Sequence, residues 1–135
     1  MSSERLRARV GPIPQGARAS LSGYRHRFNK LGNDGSAKGN LVVAATAVSM
    51  GVLYQVSRKQ LEILVEIESG YTSAEVTLEL AGGRQTGVTF FASLISEIVT
   101  PHREYLDHYV TGALEHAIPA DYLEGLLPTW YKSEK

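Results

Sequence analysis

The chain has 135 residues, zero formal net charge from 14 basic and 14 acidic side chains, and no cysteine. That balance leaves no basic footprint for nucleic acid or an anionic membrane, and the missing thiols exclude disulfides, cysteine nucleophiles and zinc–thiolate sites. No apolar run approaches the length of a membrane span or the core of a signal peptide, so the expectation is one cytoplasmic domain over residues 1–135, burying roughly two-thirds of its unfolded surface.

Ser3 to Val10 reads as a short amphipathic helix, with Leu6 and Val10 on one side and arginines on the other. Gly11-Pro12-Ile13-Pro14-Gln15-Gly16 breaks it. Ala17 to Asn29 alternates as a strand, interrupted at Ser22-Gly23, and Asn33-Asp34-Gly35-Ser36 is a turn. Leu41 to Ala44 and Gly51 to Val56 read as two short strands of buried character.

The helix that follows carries the most informative residue. Ser57-Arg58-Lys59-Gln60 opens it with a capping-box pattern, in which Gln60 reaches back to the Ser57 backbone. At about 100° per residue, Leu61, Ile63, Leu64, Val65 and Ile67 cover one apolar arc, while Glu62 and Glu66 fall opposite. Glu68, seven residues after Leu61, projects from the apolar side, just before Ser69-Gly70 ends the helix. A carboxylate aimed inward is costly unless paired. It can take a proton in a reaction, or it can serve as half of a structural ion pair.

Thr72 to Leu80 alternates strictly, with Ala74, Val76, Leu78 and Leu80 on one face, and Ala81 to Arg84 turns it back into a strand from Gln85 to Ala92. Thr100-Pro101 starts a helix with Thr as cap and Pro at its first position, striped by Leu106, Tyr109, Val110 and Ala113. Ile118-Pro119 ends it, Asp121 to Leu127 forms a last short helix, and residues 131–135 read as a frayed tail. Short strands, one central helix and a helical C-terminus predict an α+β fold, a small mixed twisted sheet or β-barrel with flanking helices. The four histidines have no metal-ligand spacing and read as surface or partly packed; no Walker, Rossmann or G-x-S-x-G pattern is present. Neither a metal nor a cofactor is expected.

From Gly23 onward the order of motifs resembles bacterial members of the gamma-glutamylcyclotransferase-like family. The residues that carry it are Gly23-Tyr24-Arg25, Phe28-Asn29-Lys30, Asp34 to Asn40, Gly51-Val52-Leu53-Tyr54, Leu61 to Glu68, Gly70-Tyr71, Pro101-x-x-x-Tyr105-Leu106 and Gly112 to Tyr122. The resemblance implies a small mixed barrel and a cyclotransferase reaction. In that reaction the α-amine of a small γ-glutamyl compound attacks its own γ-carbonyl, giving 5-oxoproline and a free amine or amino acid. It implies Glu68 as general base and Tyr71 and Tyr105 as substrate-binding residues. The sequence does not separate one γ-glutamyl substrate from another.

Two features depart from the family. Val65 and Ser69 stand where an acidic residue and a glycine are common. The family also opens on a strand running into a Tyr-Gly-Ser-Asn loop, whereas this chain starts at Met1-Ser2-Ser3, as though immediately after that loop. The expectation is an N-terminally truncated domain whose upstream codons encode the strand and loop, and which by itself pairs as a homodimer with low activity. The alternative is a noncatalytic ligand-binding or protein-interaction module on the same scaffold.

Overall fold

The computed structural model describes residues 2–68, 70–92 and 95–133. Its elements run α1 (Ser3–Val10), β1 (Ala17–Leu31), β2 (Ala37–Leu53), α2 (Arg58–Ile67), β3 (Tyr71–Leu80), β4 (Gly83–Ala92), α3 (Arg103–Glu115), α4 (Ala120–Leu126) and α5 (Thr129–Ser133). The strands form an antiparallel sheet in the order β2-β1-β3-β4 with helices flanking it, the α+β class that the sequence predicts. Among the described residues no helix is long and apolar enough to cross a membrane.

The first hairpin dominates the sheet. Its turn is built by Asp34, whose Oδ1 accepts from the Ser36 backbone N–H at 3.0 Å and from Ser36 Oγ at 2.6 Å. Gly35 completes it at φ +82°, a conformation that favours glycine. The hydrogen bonds from Ser36 hold the Asp34 carboxyl well below the usual carboxylate range. Where the sequence suggests two strands, Leu41–Ala44 and Gly51–Val56, the structure has the single long strand β2, which ends at Leu53. The pairing with β1 slips between Ser22↔Val48 and Tyr24↔Val43. The apolar pattern of β2 is therefore broken in the middle by a bulge, not by a turn. Gly23, at φ +87°, takes the strained position, and Ser49 Oγ donates to the Tyr24 carbonyl at 2.6 Å.

The sheet curls back on itself. Asn40 donates through Nδ2 to the buried Asn29 Oδ1, and Asn40 Oδ1 accepts from the Ala92 N–H at the end of β4. A bridge between Lys30 and Ile95 and a bond from Ser96 N to the Asn29 carbonyl continue that seam.

Two apolar clusters hold the helices. Leu6 of α1, Ile13 and Leu64 of α2 pack with Val10, Tyr54, Val56 and Phe90. Leu106 of α3, Leu127 and Tyr131 pack with Phe28, Val110 and Leu123. Tyr131 is fully buried and donates its hydroxyl to Asp107, so the chain end expected to fray is instead a turn of helix (α5) as far as Ser133. Glu134 and Lys135, the rest of that expected tail, and Ser69, expected at the end of α2, lie outside the described residues. α3 begins at Arg103, two residues later than Thr100-Pro101 suggests, because the Thr100 carbonyl accepts from the Ala37 N–H and keeps that dipeptide extended. His116 is buried, with Nδ1 2.9 Å from the Gly112 carbonyl, and is not a surface residue.

The capping box of α2 is present in full: Gln60 N donates to Ser57 Oγ and Ser57 N to Gln60 Oε1. Gln60 Nε2 also donates to the Val10 and Pro12 carbonyls, tying the end of α1 to the start of α2. Ser57→Ala should therefore cost about 1 kcal/mol. Gln60→Ala should cost more, since it also orphans two carbonyls, and urea unfolding of both variants ranks them.

Candidate functional site

On α2, Leu61, Leu64 and Glu68 face inward, while Val65 and Ile67 are substantially exposed. The inward stripe is thus narrower than the apolar arc on the helical wheel, and Glu68 lies on it. Glu68 is the C-cap residue at φ −79°, ψ 59°, which turns its side chain off the end of the helix. It meets a cavity of about 350 Å³ and not an apolar core.

The floor and walls of that cavity come from α1, the first hairpin, the α2–β3 turn and α3. α1 is fixed at its start by Ser3, whose N–H and hydroxyl both donate to the Glu115 carboxylate of α3. One helical turn apart, Arg5 and Arg9 then project into the cavity. Arg9 Nη1 donates to Glu68 Oε1 at 3.1 Å, with about three-quarters of the Arg9 side chain and four-fifths of the Glu68 side chain buried. Glu68 Oε2 accepts no hydrogen bond among the described residues.

The structure brings Tyr71 and Tyr105 into the same cavity as Glu68, and ties both to one backbone position. Tyr71 Oη donates to the Gly39 carbonyl at 2.6 Å, and the Gly39 N–H donates to Tyr105 Oη at 2.8 Å. Tyr105 Oη is 3.3 Å from Tyr109 Oη, which is 2.7 Å from His26 Nε2. Burial pushes the phenols of Tyr71, Tyr105 and Tyr109 upward, so all three are hydroxyls and not phenolates at neutral pH. They cannot serve there as bases; the Tyr71 proton already goes to the Gly39 carbonyl, whereas Tyr105, which accepts from the Gly39 N–H, keeps a proton to give to an oxygen in the cavity. Glu68 is the carboxylate beside them, and Asp34, at the hairpin turn, is the other one that lines the cavity.

Several of these residues are not singled out by sequence reasoning: Arg5, Arg9, Lys30, Gly39, Tyr109 and His26. Tyr105 and Tyr109 are one helical turn apart, a signal visible in the chain, but Tyr109 reads there as part of an apolar stripe. Gly39 has no sequence signal, because its role is steric. A Cβ there would collide with Tyr109 Oη and lie 2.9 Å from His26 Nε2. Gly39→Ala should cost about 1–3 kcal/mol by overpacking and push Tyr109 off its partners. A wild-type melting temperature in that variant would show that the wall gives way freely.

Comparison with known proteins gives the family and the fold. The sequence model of the AIG2-like family matches residues 49–126, more than half of the chain and the stretch that carries Glu68, Tyr71 and Tyr105. The chain belongs to the AIG2-like family, and its fold is the gamma-glutamylcyclotransferase-like one. A solved gamma-glutamyl cyclotransferase superposes with a TM-score of 0.83 at 18% identity, over 98% of this chain and 90% of that one. The uncharacterized human protein loc79017 superposes with a TM-score of 0.82, also at 18% identity, over 98% of this chain and 90% of that one. YkqA from Bacillus subtilis is 24% identical with a TM-score of 0.73, over 84% of this chain and 43% of its own length. No curated protein sequence matches the chain.

Proposed function

We propose that this chain catalyses intramolecular cyclisation of a γ-glutamyl compound, with Glu68 as the general base and Tyr71 and Tyr105 lining the substrate site. The observation that carries the reading is the convergence of the three side chains on one cavity, in a member of the AIG2-like family. Glu68 takes a proton from the α-ammonium of the substrate. The freed amine nitrogen bonds to the γ-carbonyl carbon, closing a five-membered lactam, and the γ-carbon–nitrogen bond breaks. The proton held on Glu68 passes to the departing nitrogen, and the ring nitrogen sheds its second proton through the regenerated carboxylate to the same amine, so that neutral lactam 5-oxoproline and an ammonium or free amino acid leave. Negative charge builds on the γ-oxygen as the ring closes, and a neutral phenol hydroxyl is the donor type suited to it.

The test is release of 5-oxoproline from γ-glutamyl amino acids and γ-glutamyl amines, followed by chromatography. Release from at least one class above the rate in buffer is expected. A second reading, a noncatalytic ligand-binding module, draws support from the Arg9–Glu68 ion pair, which already occupies one oxygen of the base. Saturable ligand binding with no release from either class would favour that reading.

A further inference from the structure

Within the cavity wall the described cations outnumber the carboxylates. Arg5, Arg9, Lys30 and Lys38 face Glu68 and Asp34. Arg9 pairs with Glu68, and Lys38 pairs with Asp34 at 3.4 Å. Arg5 and Lys30 have no carboxylate within ion-pair distance among the described residues. Of these two, Lys30 is the anomaly, because only 6% of its surface is exposed. A buried lysine ordinarily sits against a counter-charge. Lys30 also stands directly opposite Lys38 across the β1–β2 ladder, where like charges repel. Its ammonium rests 5.0 Å from the centroid of the Tyr71 ring. A Cβ on Gly70 would lie 3.1 Å from Lys30 Nζ, so the charge is held over the turn two residues beyond Glu68.

A carboxylate at the end of α2 and an uncompensated ammonium from β1, held over the adjoining turn, thus face one cavity. An α-amino acid carries the complementary pair on a single carbon. We propose that Lys30 receives the α-carboxylate of the γ-glutamyl group while Glu68 receives its α-ammonium. The assignment deepens the cyclotransferase reading and rests on it for the placing of the amine. It makes the cavity selective for a free α-amino acid head. A γ-amino amide of the same length that lacks the carboxylate should bind poorly, because it would leave Lys30 buried and unpaired.

Binding of two small probes to the full chain, read in the first spectra before any cyclisation accumulates, tests this separately from turnover. L-Glutamine carries the zwitterionic head and a γ-amide; 4-aminobutanamide is the same molecule without the α-carboxylate. Titrations followed by NMR should show glutamine preferred by about 10–100-fold, the worth of one charge-assisted hydrogen bond. Lys30→Met should reduce that preference to near parity, and Lys30→Arg should keep most of it. Should Lys30→Met fail to fold, the Lys30 side-chain resonances of the wild type decide: glutamine should shift them and 4-aminobutanamide should not. Equal affinity for the two probes, no glutamine binding at millimolar concentration, or an undiminished preference in folded Lys30→Met would each overturn the assignment. A chain that prefers glutamine through Lys30 yet releases no 5-oxoproline would keep this assignment and lose the catalytic one.

Discussion

Glu68→Gln should reduce 5-oxoproline release by about 10²–10⁴-fold, the usual contribution of a positioned general base. The amide keeps the size and outline of the carboxylate, so the end of α2 and the cavity should hold their shape. What the variant lacks is a group able to take the ammonium proton. It also leaves Arg9 facing a neutral partner, and some loss of stability from the broken ion pair is expected beside the kinetic effect. Glu66 supplies the control. It lies two residues away on the same helix, is exposed, and does not line the cavity. Glu66→Gln should leave both release and folding close to wild type. Equal effects of the two substitutions would remove Glu68 from the role of base.

The sequence carried some of this and not the rest, for physical reasons that differ from element to element. Periodicities of 2 and 3.6 and turn chemistry are local, so α1, α2, the Asp34–Ser36 turn and the β3–β4 hairpin can be read directly. The inward placement of Glu68 is also local, because it depends only on a helical phase counted from Leu61. What Glu68 meets is not local. Arg9 lies 59 positions earlier in the chain, and nothing in the pattern of α2 signals a cationic wall in place of an apolar one. The arginines of α1 look like a solvated face for the same reason: a helical wheel knows which side is apolar but not what covers the other side. β2 is misread as two strands because a register slip and a turn interrupt an apolar pattern alike. Tyr131 looks like part of a frayed end because its partners, Leu106 and Asp107, come from a helix more than 20 residues earlier. The Lys30–Lys38 pair was within reach, since the two lysines sit symmetrically about the Asp34 turn. Recognising it requires taking the hairpin register as fixed before asking what each side chain does.

Stability should fall as the pH drops from about 6.5 toward 4, and His26 should be the principal cause. Its ring packs edge-on against Phe28 and Tyr109, Nε2 is shared with the Tyr109 hydroxyl, and Nδ1 is buried with no partner among the described residues. Burial penalises the imidazolium and lowers its pKa from 6.5 to about 4. Between those two values the unfolded chain binds a proton that the folded chain does not. The unfolded state is therefore favoured progressively as the pH falls, and the stability present above 6.5 is lost through this window. One group titrating in this way removes about 2 kcal/mol by pH 5. The carboxyls of Asp34 and Glu115 are shifted downward, so their own stabilising contributions fade only in the ordinary carboxylate range and below. That leaves the interval from pH 6.5 to 4.5 to the histidine. Chemical denaturation of wild type and His26→Gln at pH 7, 6 and 5 should give a falling series for the first and a nearly flat one for the second. Parallel series would place the titrating group elsewhere. Should the series diverge as expected, acid should also weaken the site. His26 holds Tyr109, Tyr109 adjoins Tyr105, and Tyr105 shares Gly39 with Tyr71, so a charge forced onto the imidazole acts on the wall that Glu68 faces.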